Sequence, residues 1–304
     1  MLCILREIGQ HFVGGVLHRE EFKIVYVAPM KALVQEIAKK FNQALMALGV
    51  VVKELTGDVQ LTKKEIQDTQ VIVTTPEKWD VITRKSGDAA LTAQVRLLII
   101  DEVHLLNEDR GAVIETLVAR TLRQVEASQS MIRIAGLSAT LPNYKDAAEF
   151  LRVNNQTGLF FFDDSYRPVP LSQYFIGIKE NNHVMRIQKM NEICWQKARE
   201  SVQSGKQVLI FVHARNDTVR TAQALARKAK EDGVDFASRE HEQFGLAMKE
   251  FSRSRNEEMK ELFQSGFGIH HAGMLRQDRL LMERMYHPNV FLRCNWLASL
   301  PLLI

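Results

Sequence analysis

The chain has 304 residues, 46% of them hydrophobic and 25% charged, and its formal net charge of +4 permits nucleic acid as a partner without requiring it. Because this apolar content can build buried cores, the composition excludes a disordered protein, and the length has room for two domains. The three cysteines form no CxxC pair, which argues against a zinc site or a disulfide framework, and no apolar run is long enough to span a membrane.

Short β-rich runs alternate with helical patterns along the first half of the chain. The first 12 residues have the pattern of an amphipathic helix. Strands are predicted at residues 23–28, 50–55, 71–74, 96–100, 132–137 and 158–162. Helices are predicted at residues 31–48, 63–68, 77–84, 112–128 and 144–151. This alternation is typical of a parallel sheet with helices on both faces.

A polar, proline-containing stretch at residues 163–171, DDSYRPVPL, favours an extended linker. Beyond it we predict helices at 184–204 and 217–231, a buried strand at 207–212, and a charged stretch at 238–261 without a clear sheet partner. The predicted organisation is a first domain at 1–165, a linker at 166–178, a second domain at 179–285 and an apolar tail at 286–304.

The most informative segment is VRLLIIDEVH at residues 95–104. Four consecutive branched aliphatic residues predict a strand buried on both faces of a parallel sheet, and Asp101 and Glu102 follow it directly. Ligands of such sheets bind outside the carboxyl ends of the strands, so the pair is placed as in a Walker-B site. Asp101, Glu102 and His104 are the candidate catalytic residues, with Asp101 holding the Mg²⁺ of a nucleotide. A solvated strand end is the alternative for this tetrad alone.

A Ser-Ala-Thr sequence (Ser138, Ala139 and Thr140) follows the predicted strand 132–137. We expect its hydroxyls beside the acidic pair, where they can hydrogen-bond the acidic side chains and pass nucleotide state on to a second domain. The alternative is a helix start, because Asn143 is a good N-cap for the predicted helix 144–151. The two interpretations are compatible, since different residues serve them.

Three corners at strand ends have the features of phosphate-binding sites. Two of them join a strand to a helix with a proline near the first helical position and a lysine close by, and the third is a tight turn. Together they predict a track along a nucleic-acid backbone, although a single such corner is as often a plain helix cap. The candidate contact residues are Pro29, Lys31, Ala32, Thr56, Gly57, Thr75, Pro76 and Lys78.

This ordered set of motifs resembles the superfamily 2 helicases, specifically the Ski2-like branch with its DEVH box. APMKAL (28–33) is similar to motif Ia, TTPEKWD (74–80) to motif Ib, DEVH (101–104) to motif II and SAT (138–140) to motif III. In the second half, VLIFVHAR (208–215) is similar to motif IV, FGIHHAGM (267–274) to the family's IHHAGM segment, and RPVPL (167–171) to its linker.

The resemblance implies an α/β fold with tandem RecA-like domains built on parallel sheets. It also implies ATP- and Mg²⁺-dependent translocation on single-stranded or partly duplex nucleic acid, with 3′-to-5′ unwinding of DNA or RNA. His213, Arg215, His270, His271 and Gly273 then belong to the second domain and face nucleic acid or the partner domain. The tandem-cassette helicases fit best, which implies nuclear and cytosolic residence and partners in a cointegrator-type complex linked to alkylation repair and ribosome rescue.

The sequence departs from the family pattern in two places. It contains no GxxxxGK[ST] loop, whose amides and lysine hold nucleotide phosphates, and YHPNVFLRCNWLASLPLLI stands where motifs V and VI are expected. Both domains are therefore expected to be incomplete, the first without its P-loop strand and with an open apolar edge at 132–137. We expect no ATPase activity from this chain alone. An ATP-independent nucleic-acid-binding or scaffold fragment, or a misfolded product, remains the alternative.

Overall fold

The computed structural model describes residues 1–59, 61–84, 89–139, 141–237, 242–271, 273–286 and 295–299. The chain divides into two compact units, Met1–Pro170 and Leu171–Ile304, which are described separately. The division falls within the predicted linker 166–178, and residues 167–181 form neither helix nor strand. Among the described helices, none combines the length and the hydropathy that crossing a membrane requires.

The first unit is an α/β structure. Its strands are β1 Phe12–Val13, β2 Val16–Leu17, β3 Lys23–Val27, β4 Val52–Leu55, β5 Val71–Thr74, β6 Val95–Ile100 and β7 Arg133–Gly136. Its helices are α1 Leu2–Gln10, α2 Lys31–Leu45, α3 Lys63–Asp68, α4 Pro76–Arg84, α5 Ala89–Ala93, α6 Gly111–Ser128 and α7 Tyr144–Phe150. Short 3₁₀ helices lie at Met46–Leu48, Val103–Asn107 and Asp164–Tyr166.

Five parallel strands form the main sheet, in the order β4-β5-β3-β6-β7. The alternation of side chains along each strand sends successive residues to opposite faces. In β6, Leu98 and Ile100 enter one buried cluster, while Leu97 and Ile99 enter the cluster on the other face. This burial on both faces confirms the α/β parallel-sheet prediction for this unit, and it directs the carboxyl ends of all five strands to one edge.

Strand β7 lies at the edge of this sheet and pairs only with β6 among the described residues, which confirms the predicted open edge. The strand predicted at 158–162 is wrong: the described backbone there is not a strand, and Phe160, Phe161 and Phe162 are exposed. An apolar run forms a strand only when a neighbouring strand pairs with it, and propensity alone does not supply that neighbour.

The second unit carries a smaller sheet. Its elements are α8 His183–Gln203, β8 Val208–Val212, α9 Arg215–Glu231, α10 Glu242–Ser252, α11 Glu257–Gln264, β9 Phe267–His270, α12 Arg276–Tyr286 and β10 Asn295–Ser299. All pairings are parallel, in the order β8-β10-β9. The buried strand predicted at 207–212 needs correction, because Leu209 and Phe211 are exposed on one face. The alternate residues Val208, Ile210 and Val212 pack against the core on the other face, and β8 is an edge strand of this sheet.

The apolar tail predicted at 286–304 contributes the central strand of this sheet. Asn295 pairs with Val208 on one side and with Phe267 on the other, both in parallel register. The remainder of the predicted tail, 287–294 and 300–304, lies outside the described residues. The segment NWLAS carries no sign of this role, because a five-residue strand has no periodicity that distinguishes it from another short apolar run.

Candidate functional site

The acidic pair lies at the carboxyl end of β6, at the edge of the sheet that all parallel strands share. The Asp101 amide donates to the Val27 carbonyl at 2.9 Å, which ties the end of β6 to the end of β3. Glu102 has a left-handed backbone (φ 55°), and its amide donates to Oδ1 of Asp101 at 3.0 Å. This sharp turn sends the two carboxylates out of the strand line and fixes the orientation of the first.

Tyr26 holds the other oxygen of Asp101, and sequence reasoning missed it. Its hydroxyl donates to Oδ2 of Asp101 at 2.7 Å from the neighbouring strand β3. Burial raises the pKa of Tyr26, and so do its hydrogen bond to Asp101 and the negative charges of Asp101 and Glu102. The phenol therefore stays protonated at neutral pH and serves as a hydrogen-bond donor to Asp101. The available signal was a single hydroxyl in the apolar run KIVYVA, on the strand next to the acidic pair.

His104 joins the acidic pair to the Ser-Ala-Thr segment. Its Nδ1 lies 3.3 Å from Oε2 of Glu102 and 3.4 Å from Oγ of Ser138. The Leu137 amide donates to the Ile100 carbonyl at 2.9 Å, which places Ser138 beside the end of β6. Ala139 is exposed, and Thr140 lies outside the described residues.

Asn143 stands at the N-cap of α7, as the sequence predicted, but the side-chain bond expected of a good cap is not formed. Its backbone φ and ψ of −97° and 41° depart from the extended geometry in which a cap side chain reaches back to the first turn. The helix is nevertheless anchored by backbone bonds from Asp146 and Ala147 to the Asn143 carbonyl.

The chemistry of these donors fits the metal half of a magnesium–nucleotide site. Carboxylate oxygens suit Mg²⁺, which in nucleotide enzymes takes one or two protein carboxylates and completes its shell with phosphates and water. No group of three or more metal-binding side chains occurs within the described residues, so a metal held by protein alone does not fit. The sequence also supplies no GxxxxGK[ST] loop for the phosphates.

Two of the three predicted corners are in direct contact. Nζ of Lys31, the first residue of α2, lies 2.8 Å and 2.9 Å from the carboxylate oxygens of Asp58. Asp58 follows Gly57, and a Cβ built on Gly57 would lie 3.6 Å from that same Nζ. Thr56 is buried and accepts the Val59 amide at 3.2 Å, which closes the turn. Lys31 is thus an exposed cation whose charge is partly neutralised by the carboxylate of Asp58.

The third corner is placed beside the first by the sheet. The Ala28 amide donates to the Thr74 carbonyl at 2.9 Å, so the ends of β3 and β5 are adjacent. Thr75 and Pro76 are buried, and Pro76 is the first residue of α4. Their side chains are therefore not a contact surface, whereas Lys78 in the first turn of α4 is partly exposed.

In the second unit, the structure brings Arg215 close to His271 and Gly273. A Cβ built on Gly273 would lie 3.8 Å from Cδ of Arg215, and Nδ1 of His271 accepts the Gly273 amide at 3.2 Å. Burial lowers the pKa of His271, helped by the positive charges of Arg215 and His270. His270 instead pairs its Nε2 with Glu283 at 2.9 Å. His213, another predicted contact, is exposed just after β8.

Comparison with known proteins gives three results. Residues 1–147 match the DEAD/DEAH box helicase family. The chain is 60% identical over 288 residues to the DExH-box ATP-dependent RNA helicase DExH14 of Arabidopsis thaliana and 59% identical over 290 residues to activating signal cointegrator 1 complex subunit 3 of Homo sapiens. Each alignment covers 94% of this chain and 13% of the relative.

Among solved structures, the chain is similar to the DUF1998 helicase MrfA bound to DNA and AMPPNP. The TM-score is 0.64 at 17% sequence identity, and the match covers 97% of this chain and 36% of that one. At this level of identity the similarity shows the fold, and it agrees with RecA-like architecture.

Proposed function

Because the chain carries a DEAD/DEAH box helicase domain in residues 1–147, we propose that it is part of an ATP-dependent motor that moves 3′ to 5′ on nucleic acid and unwinds DNA or RNA. The observation that supports this proposal most is the position of the acidic pair relative to the corners. The Asp101–Glu102 pair lies at the same sheet edge as the corners at Lys31 and Thr75. Nucleotide chemistry and backbone binding would therefore share one edge of the sheet.

We assign the acidic residues on their geometry. Asp101 would hold the metal, with its carboxylate oriented by Tyr26 and by the Glu102 amide. Glu102 would orient the attacking water, and His104 with Ser138 and Thr140 would report the state of the site to the second unit. Magnesium-bound ATP, when present, would supply the phosphoryl transfer that drives movement.

We assign the nucleic-acid track to Lys31, Gly57 and Lys78 in the first unit, together with the amino ends of α2 and α4. In the second unit the candidates are His213, Arg215, His270, His271 and Gly273. Backbone contacts of this kind serve single strands and strand–duplex junctions without reading bases. The names of the relatives support an RNA or DNA substrate and membership of a cointegrator complex. Residence in the nucleus and cytosol, with roles in repair and ribosome rescue, belongs to the same proposal.

A second candidate function is favoured by a specific observation. The sequence contains no GxxxxGK[ST] loop, so the chain alone lacks the amide cradle that holds β- and γ-phosphates. The corners for nucleic acid do not depend on that loop. The 304-residue chain by itself would then be an ATP-independent nucleic-acid-binding or scaffold fragment.

We expect the purified chain to show no nucleic-acid-stimulated ATPase activity, because its sequence lacks both the GxxxxGK[ST] loop that holds the phosphates and the arginine of motif VI. Loss of an arginine finger alone lowers the rate of related nucleotide hydrolases by a factor of about 10³–10⁵. Phosphate release measured with and without single-stranded RNA checks this, with the Glu102→Gln variant as the control for contaminating activity. Stimulated hydrolysis that Glu102→Gln abolishes would contradict the expected inactivity and establish the chain as a working motor.

Asp58→Asn is expected to raise the affinity for single strands by roughly twofold to fivefold. The substitution removes the carboxylate that pairs with Lys31, and exposed ion pairs of this kind contribute only about 0–1 kcal/mol to stability. Anisotropy titrations at several salt concentrations measure the gain, which should shrink as salt increases. Asp146→Asn on α7 is the control for the loss of one negative charge. Equal gains from both variants would show that Lys31 has no special part in binding.

A further inference from the structure

Arg110 contacts two of the three corners at once. Its Nη1 donates to the carbonyl oxygen of Pro29, just before α2, and its Nε lies 3.3 Å from Oε1 of Glu77 in the first turn of α4. The guanidinium therefore spans the ends of β3 and β5 at this edge of the sheet. It precedes Gly111, the first residue of α6, and none of the motifs that carry the family resemblance includes it.

A continuous set of backbone hydrogen bonds connects Arg110 to the acidic pair. The Leu105 amide donates to the Glu102 carbonyl at 3.0 Å, the Glu108 amide to the Leu105 carbonyl at 3.0 Å, and the Gly111 amide to the Glu108 carbonyl at 2.8 Å. Each bond starts where the previous one ends. The segment from Glu102 to Gly111 is thus hydrogen-bonded along its length, and it links the acidic pair to Arg110.

We propose that Arg110 is a positioning residue that holds the corners at Pro29 and Glu77 at a fixed spacing and ties both to the acidic pair. This inference rests on the proposed function, since it concerns how the two corners bind successive phosphates of one strand. The side-chain chemistry suits the task, because a guanidinium is always charged and offers several donors in a rigid plane. Lysine has the same charge but concentrates its donors at one point and cannot span both partners in the same way.

The geometry also distinguishes Arg110 from an ordinary phosphate-binding arginine. Two of its three guanidinium nitrogens, Nη1 and Nε, are directed to a backbone carbonyl and a carboxylate of its own chain, whereas a phosphate contact directs such donors to solvent. Charge alone is then not its contribution. The two roles predict different behaviour for Arg110→Lys, which keeps the charge and loses the bridge.

The first test measures binding of the full chain to a labelled single-stranded RNA and to DNA of the same sequence. We expect Arg110→Lys and Arg110→Ala each to weaken binding roughly fivefold or more. Whatever effect Glu77→Gln has on binding in the wild type should be smaller in the Arg110→Ala background. Arg123→Ala, at an exposed arginine of α6, is the matched control for loss of charge. Wild-type-like binding by Arg110→Lys, or fully additive effects in the double variant, would overturn the proposal.

The second test needs no nucleic acid. The amides of Val34 and Trp79 close the first turns of α2 and α4 through bonds of 3.0 Å to the carbonyls of Met30 and Thr75. Hydrogen exchange at both should accelerate together in Arg110→Ala and stay unchanged in Arg123→Ala. Exchange that changes at neither amide, or at only one, would refute the bridge. If the wild-type chain binds no single strand, the proposed function fails, while paired exchange at the two corners still reports on the bridge itself.

Discussion

Replacing Gly111 with alanine is expected to lower the free energy of unfolding of the first unit by about 3 kcal/mol or more, at the upper end of what overpacking causes. A Cβ at this position would lie 2.0 Å from the Leu106 carbonyl oxygen and 2.7 Å from its carbon. Both are backbone atoms of the 3₁₀ helix that follows the acidic pair. They cannot move aside as the end of a flexible side chain can, so either this helix or the start of α6 must shift.

Urea denaturation followed by circular dichroism measures the loss, and hydrogen exchange in β6 attributes it to the first unit. Gly9→Ala is the matched control, because Gly9 lies in α1 and nothing stands within 4 Å of the position that its added Cβ would take. Alanine is the better helix former, so this variant should be neutral or slightly stabilised. If Gly111→Ala is as stable as Gly9→Ala, the close approach of the Leu106 backbone to Gly111 does not affect the free energy of unfolding.

The same substitution has a functional consequence. Gly111 follows Arg110 directly and ends the backbone-bonded segment that starts at Glu102. A shift of this segment therefore displaces Arg110 from the corners, and single-strand binding should weaken even at temperatures where the variant remains folded. Affinity measured well below the unfolding transition separates this effect from loss of folded protein.

The sequence could predict the parts of this fold that depend on periodicity within one segment. The run at 97–100 reveals a strand buried on both faces, and Asp101 must then lie at a carboxyl-end edge whichever strands surround it. The same reasoning placed Pro76 at the start of α4. These features are local, because side-chain alternation and the fixed φ of proline act within a few residues.

What the sequence could not predict depends on contacts between distant segments. Tyr26 meets Asp101 because β3 and β6 are neighbours in the sheet, yet 75 positions separate them in the chain. Neither segment's sequence specifies which strands become neighbours in the sheet. For the same reason the residues at 158–162 were expected to form a strand and did not, while 295–299, which have no distinguishing pattern, pair on both sides.

Lys23→Met is expected to destabilise the first unit by about 3 kcal/mol, since it removes a charged donor from three carbonyl acceptors at once, one of them fully buried. Lys23 is only 1% exposed at the start of β3. Its Nζ donates to the carbonyls of Ile66 and Gln67 at 2.8 Å and 2.6 Å and to that of Thr69 at 2.6 Å. These carbonyls end α3, so the ammonium group completes a helix terminus that cannot be completed from within the helix.

Methionine keeps the length and most of the apolar contacts of the lysine stem, so the loss measures the capping contacts rather than a cavity. Lys39→Met on the exposed face of α2 is the control for removing one positive charge. In addition to the urea midpoint, hydrogen exchange at the Thr69 amide gives a local readout. This amide donates to the Ile66 carbonyl at 3.3 Å in the turn that Lys23 closes. Faster exchange there, with β6 still protected, would locate the damage at the end of α3. A variant as stable and as protected as Lys39→Met would mean that water replaces the ammonium group at no cost, and that the buried lysine is not required to join α3 to the sheet.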